Sequence, residues 1–142
     1  MTSDIDRLAS GRNKDWRALI RTRANVLVTG PTATLDAFVE ACGGELRRPL
    51  TLASPAGSLA LPRSSTVVIS DVHLLDAAAQ RMLAAWIQDP ENSETQIISL
   101  ASIPLFPLVD AGRFDRDLYY RLNTIHLELQ SVTASASEPG RG

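Results

Sequence analysis

The chain has 142 residues, 44% of them hydrophobic and 21% charged, which suits one globular domain with a real core. Fourteen Lys and Arg against sixteen Asp and Glu leave a net charge of −2, which excludes a global basic field for holding nucleic acid. The single cysteine, Cys42, excludes an internal disulfide or a cysteine-built metal cluster and fits a reducing, cytoplasmic setting. It is expected to be a small core residue. No apolar run reaches membrane-spanning length, and the opening MTSDIDRL lacks the apolar stretch of a signal peptide.

Residues 4–22 read as a helix with Ile5, Leu8, Trp16, Leu19 and Ile20 as apolar positions and Gly11 as an interruption. Residues 1–23 carry six Lys/Arg against three Asp, the balance of a solvated helix face. NVLVT at 25–29 is a short β-branched run ending at Gly30-Pro31, expected to be a buried strand. Residues 33–42 return to helical spacing, with Leu35, Phe38, Val39 and Cys42 on one side and Gly43-Gly44 as the stop. LTLA at 50–53 is a second strand, and 54–65 form a connection rich in Pro, Ser and Gly.

Thr66 to Ile69 form the next strand, ending at Ser70-Asp71. DAAAQRMLAAWIQ at 76–88 predicts a strong helix, with Asp76 near its start, Met82, Leu83, Trp86 and Ile87 at helical spacing, and Asp89-Pro90 as its end. QIISL at 96–100 is a strand, Pro104 and Pro107 shape a loop or short helix, and TIHLEL at 124–129 alternates as a strand should. The closing SVTASASEPGRG is small and polar, so 131–142 are expected to form a flexible tail after one domain over 1–130. Strands alternating with helices imply a parallel sheet covered on both faces. Ligands of such sheets sit beyond the carboxyl ends of the strands, which places any chemistry after residues 29, 69 and 100.

The most specific string is Gly112 to Asn123, GRFDRDLYYRLN, whose mixture of charge and aromatics no simple amphipathic helix requires. It resembles the segment GxFRxDLYYRLN of the sigma-54-dependent transcription activators, a branch of the AAA+ ATPases. TVVISDVHLLDAAAQRMLAAWIQ is similar to the same family's Walker B strand and following helix. Thr66, Leu75, Gln80, Leu83 and Gln88 fix that register without gaps. QIISLAS resembles the family's sensor strand. The resemblance implies an α/β fold: a P-loop NTPase or AAA+-like parallel sheet sandwiched between helices. In register with the family, Ser70 stands at the magnesium-linked aspartate, Asp71 at the water-polarising glutamate, and Ser102 at the sensor asparagine. A second register makes Asp71 the metal aspartate and leaves no base. The plainer expectation for Asp71 is a strand end that caps the turn.

VLVTGPTATLDAF, residues 26–38, stands where the family has its phosphate loop. Gly30 and Thr34 agree with the family form, Ala33 and Leu35 replace glycines, and Asp36 replaces the lysine. A phosphate cradle needs glycines so that backbone N–H groups can turn inward, and it needs the lysine's charge. The plainer expectation is an ordinary strand-to-helix turn capped by Thr32 or Thr34. The vestigial nucleotide site thus comprises Gly30, Thr32, Thr34, Asp36, Ser70, Asp71 and Ser102.

In GRFDRDLYYRLN, the family's first trans-acting arginine corresponds to Asp115, with Arg116 adjacent, and Arg121 matches the second. Asp117 and Arg121 are spaced for an ion pair on one helix turn. Tyr119, Tyr120 and Leu122 are expected to pack the helix onto the last strand. His73 and His126 are isolated and carry no ligand spacing.

The interval from Asp36 to Ser70 is much shorter than in the family and contains no GAFTGA-like string. The family's helical lid and helix-turn-helix are also missing from the expected layout, so activation of sigma-54 polymerase and direct DNA binding are not expected. The combined reading is a non-catalytic regulatory or protein-interaction module, a pseudo-ATPase in family terms, with no cofactor expected. Weak Mg-ATP binding, or an active ATPase completed by another chain, is the alternative; an unrelated α/β protein is a third reading that the gap-free matches disfavour. The expected partner is another protein or a second copy, met through residues 112–121 with Arg116 and Arg121, and no membrane.

Overall fold

A computed structural model describes residues 18, 20–55 and 61–129. The expected helix over 4–22 lies almost wholly outside them, although residues 20–22 are helical and Ile20 packs against the core. The tail at 131–142 lies outside them too.

Five parallel strands form one sheet in the order β2-β3-β4-β1-β5. They are β1 (Val26–Thr29), β2 (Leu50–Ala53), β3 (Thr66–Ile69), β4 (Gln96–Ala101) and β5 (Ile125–Glu128). The helices are α1 (Thr32–Cys42), α2 (Ala77–Gln88), α3 (Phe106–Asp110) and α4 (Arg116–Leu122). The central strands β1, β3 and β4 are buried along their whole length, as unbroken apolar runs with both faces covered should be. β5, an edge strand, alternates half-buried Ile125 and Leu127 with exposed His126 and Glu128.

Each face of the sheet carries its own core. On one face, α1 lays Leu35, Phe38 and Cys42 over Val26, Val28, Ile98 and Leu100. On the other, Leu83 of α2 and Leu118 and Leu122 of α4 pack with Leu27, Val67, Ile69 and Ile97. Burying such a leucine contributes roughly 1.5–3 kcal/mol, so the two layers together hold the strand ends in place.

Three expectations need correction. Met82 is 53% exposed, because the buried stripe of α2 runs through Gln80 and Leu83 instead. Tyr120 is 57% exposed, and α4 packs across the sheet face with Ile97 and Ala101 of β4, not onto β5. Finally, neither Thr32 nor Thr34 caps α1. Pro31 occupies the cap position without a side-chain hydrogen bond, Thr32 is already helical, and Thr34 is buried. The Pro31 ring fixes φ at −59° and its carbonyl accepts the Leu35 N–H at 2.9 Å, which starts the helix without a hydroxyl.

Candidate functional site

The carboxyl ends of β1, β3 and β4 meet along one edge, where a parallel α/β sheet presents its ligand crevice. Only Gly30 and Pro31 separate β1 from α1. The Gly30 N–H donates to the Ala101 carbonyl at 3.2 Å, and the Leu129 N–H donates to the Thr29 carbonyl at 2.8 Å. A Cβ on Gly30 would lie 2.9 Å from the Leu129 carbonyl oxygen. Glycine is required here by the close approach of another backbone, whether or not a phosphate is ever present.

Beside this junction, α1 and the sheet enclose an open cleft of about 440 Å³. Asp36, Glu40 and Val39 form the helical wall, and Leu52, Ala53, Val68, Ser70 and Leu100 form the rest. Among the described residues both charged groups in the lining are carboxylates, one helical turn apart, and no lysine or arginine joins them. The Ser70 hydroxyl is committed to the Ala53 carbonyl at 3.2 Å, and its N–H donates to the same oxygen at 3.0 Å. The structure therefore brings Asp36 and Ser70 together. Thr32 is exposed on the first turn of α1 and Thr34 is buried beneath it.

Asp71 does not cap the following turn with its carboxylate. It adopts a left-handed conformation (φ 53°), and its carbonyl, not its side chain, accepts the Leu74 N–H at 2.9 Å. The left-handed backbone itself makes the turn. Ser102 follows β4, with its hydroxyl 3.5 Å from His73 Nε2, at the outer limit of a hydrogen bond. His126 is exposed and shares a 2.8 Å hydrogen bond with Thr29 Oγ1.

The segment from Gly112 to Leu122 forms a second locus on the α2 side. Gly112 sits at φ 78°, where a side chain would be strained, just past the end of α3. Asp115 caps α4, its Oδ2 accepting the Leu118 N–H at 2.8 Å. Arg121 pairs with Asp117 at 2.9 Å, and Arg116 lies 6.0 Å from the centre of the Phe106 ring. Phe106 contacts Tyr119, which meets Tyr120 edge-on. Both arginines are exposed.

Two contributors were not singled out from the sequence. Glu40 shares the cleft with Asp36, and their i, i+4 spacing was the available signal. Gln80 is buried, donates to the Leu75 and Arg113 carbonyls at 2.9 and 3.1 Å, and accepts the Asp115 N–H at 2.8 Å. In the sequence it served only as a register mark, with nothing to signal this bonding role. Cys42 is buried, and burial, with Glu45 adding to it, raises its thiol pKa from 9.0 to about 11. Among the described residues no cluster of His, Cys, Asp and Glu could hold a metal ion, and no helix is long and apolar enough to cross a membrane.

The model of the Sigma-54 interaction domain matches residues 44–132, more than half of the chain. The chain belongs to the sigma-54 interaction domain family. This sigma-54 interaction domain is related to the ATPase domains of sigma-54 activators, and the family is one of P-loop NTPases. Residues 30–36 precede the matched range.

Among solved structures, NtrX from Brucella abortus in complex with ADP matches with a TM-score of 0.72 at 15% identity, covering 94% of this chain and 37% of that one. NtrX in complex with ATP matches with a TM-score of 0.72 at 16% identity, with the same coverage. The P-loop NTPase domain of the Sigma-54 transport activator from E. coli matches with a TM-score of 0.54 at 17% identity, covering 83% of this chain and 98% of that one. This domain thus spans little more than a third of the NtrX chains, and at these identities the likeness establishes the P-loop NTPase fold. No curated protein sequence matches it.

Proposed function

We propose that this domain is a non-catalytic regulatory or protein-interaction module, a pseudo-ATPase built on the fold of the sigma-54 activators. The observation that carries the reading is the charge of the cleft. Among the described residues Asp36 and Glu40 line it with no basic residue, where a nucleotide's phosphates require the opposite sign. The backbone adds to this. α1 begins two residues after β1, and the Leu35 N–H is already spent on the Pro31 carbonyl. What is left to face an anion is the first turn of α1, without the run of loop glycines that a phosphate cradle uses. Ser70 at the metal position brings no charge and is bonded to Ala53. Gly30, Thr32, Thr34, Asp71 and Ser102 then remain as the outline of a vestigial site.

The alternative is weak Mg-ATP binding by a sigma-54-dependent regulator, favoured by the likeness to NtrX structures that hold ADP and ATP. Calorimetry with Mg-ATP decides between them. No saturable heat in the micromolar range is expected, and clear micromolar binding overturns the non-catalytic reading. Asp36→Lys alone is expected to leave hydrolysis absent, because the metal position stays uncharged.

The module meets another protein, or a second copy, through 112–121, where Arg116 and Arg121 stand exposed with planar donors suited to carboxylates. Its setting is cytoplasmic, in keeping with a single buried thiol.

A further inference from the structure

Among the described residues the face of the sheet beside α1 is incompletely covered. α1 packs over β1 and β4, while β2 lies at the sheet's edge with β3 as its partner. Leu61, ahead of β3, lies on the opposite face. It packs there into the α2 core, and its carbonyl accepts the Trp86 indole N–H at 3.0 Å. Among the described residues nothing lies over the outer end of the α1 face, and Leu52, in the middle of β2, is 66% exposed.

We propose that this strip is a docking groove for an extended segment of a partner protein in which a lysine or arginine is flanked by aliphatic residues. The proposal rests on the reading that the cleft does not take phosphate. Three features of the strip select this occupant. The first is the outer edge of β2, which no other described strand pairs and which can accept an added strand. The second is the apolar floor of Leu52, Val68 and Leu100, which runs inward from that edge so that one long side chain turned in from an added strand lies along it. The third is the wall of Asp36 and Glu40, a turn apart and both exposed, which complements one cation and repels a carboxylate. The aliphatic stem of a lysine or arginine can cover the floor while its head reaches the wall.

The experiment uses the full chain and short labelled peptides of alternating leucine and valine whose central residue is lysine, arginine, serine or glutamate. Fluorescence anisotropy measures binding, and circular dichroism checks the fold of each variant. The lysine and arginine peptides are expected to bind more tightly than the serine peptide, and the glutamate peptide most weakly. Asp36→Lys with Glu40→Lys should weaken the cationic peptides by about tenfold or more while leaving the serine peptide unchanged. Leu52→Asp should weaken all of them.

Equal binding of the lysine and serine peptides, a preference that survives the double charge reversal, or no peptide binding overturns the groove. A dimer that Leu52→Asp dissociates, without any peptide preference, overturns it in favour of a second copy. Titration with Mg-ATP keeps the two readings apart. Failure of the peptides without nucleotide binding removes the groove alone, and micromolar ATP binding removes the pseudo-ATPase reading first.

Discussion

Gln80 holds the backbone of Asp115 in position. Its side-chain carbonyl accepts the Asp115 N–H at 2.8 Å, while its amide donates to the Arg113 carbonyl at 3.1 Å. One buried side chain on α2 thus satisfies two main-chain groups of the loop that launches α4, and α4 carries Arg116 and Arg121.

Gln80→Leu should therefore cost more than an ordinary core substitution. It strands the buried Leu75 carbonyl, at about 1–3 kcal/mol, and leaves the part-buried Asp115 N–H and Arg113 carbonyl to solvent at less than that each. Chemical denaturation should show the loss. Hydrogen exchange should show it concentrated at residues 113–118; a change spread evenly over the sheet would count against the coupling.

Asp115 occupies the position that resembles the family's first arginine, and here it serves as a helix cap. Asp115→Arg should lower stability by about 1 kcal/mol through loss of that cap. It should not create ATPase activity. Thermal unfolding and a phosphate-release assay check the two halves of this expectation separately.

Cys42 gives a pH signature of the folded state. Its thiol pKa is raised from 9.0 to about 11, so the unfolded chain releases this proton first as pH rises. The unfolded state then binds fewer protons, and stability falls with pH. The contribution is intact below pH 9 and is lost across the interval up to about 11. Denaturation of the native chain and of Cys42→Ala at several pH values should show a steeper alkaline decline for the native chain. The folded thiol should also react slowly with thiol reagents at neutral pH.

Arg116→Glu with Arg121→Glu tests the proposed interaction surface. Both side chains are exposed, so the fold should survive: the double variant removes only the ion pair with Asp117 and the approach of Arg116 to the Phe106 ring. Exposed pairs of this kind contribute about 0–1 kcal/mol. Analytical ultracentrifugation and partner pull-down should show weakened association. A folded double variant with unchanged association would reduce this surface to a solvated helix.

The strands of this domain were legible in its sequence because buried parallel strands leave unbroken β-branched runs, as at 26–29 and 66–69. α2 was legible from its alanines and from Asp76, which does cap it, accepting the Ala79 N–H at 2.8 Å. The Asp117–Arg121 pair followed from spacing alone. What escaped depended on neighbours. Periodicity says which residues share a face, but not whether another element covers that face, so Met82 and Tyr120 were misplaced. The same limit hid the exposure of Leu52. Gln80 was visible only as a register mark, since its role depends on a loop thirty-odd residues away. Pro31 starts α1 by ring geometry, in place of the expected hydroxyl cap.

The Gly30 junction has a mechanical consequence. It lashes the ends of β1 and β4 to the chain leaving β5, through two hydrogen bonds and an approach so close that it leaves no room for a methyl group. Loops that switch with a ligand change shape when it comes and goes. A two-residue tie fixed at three strands has no such slack. Any change at this junction therefore has to move the ends of β1, β4 and the chain leaving β5 together.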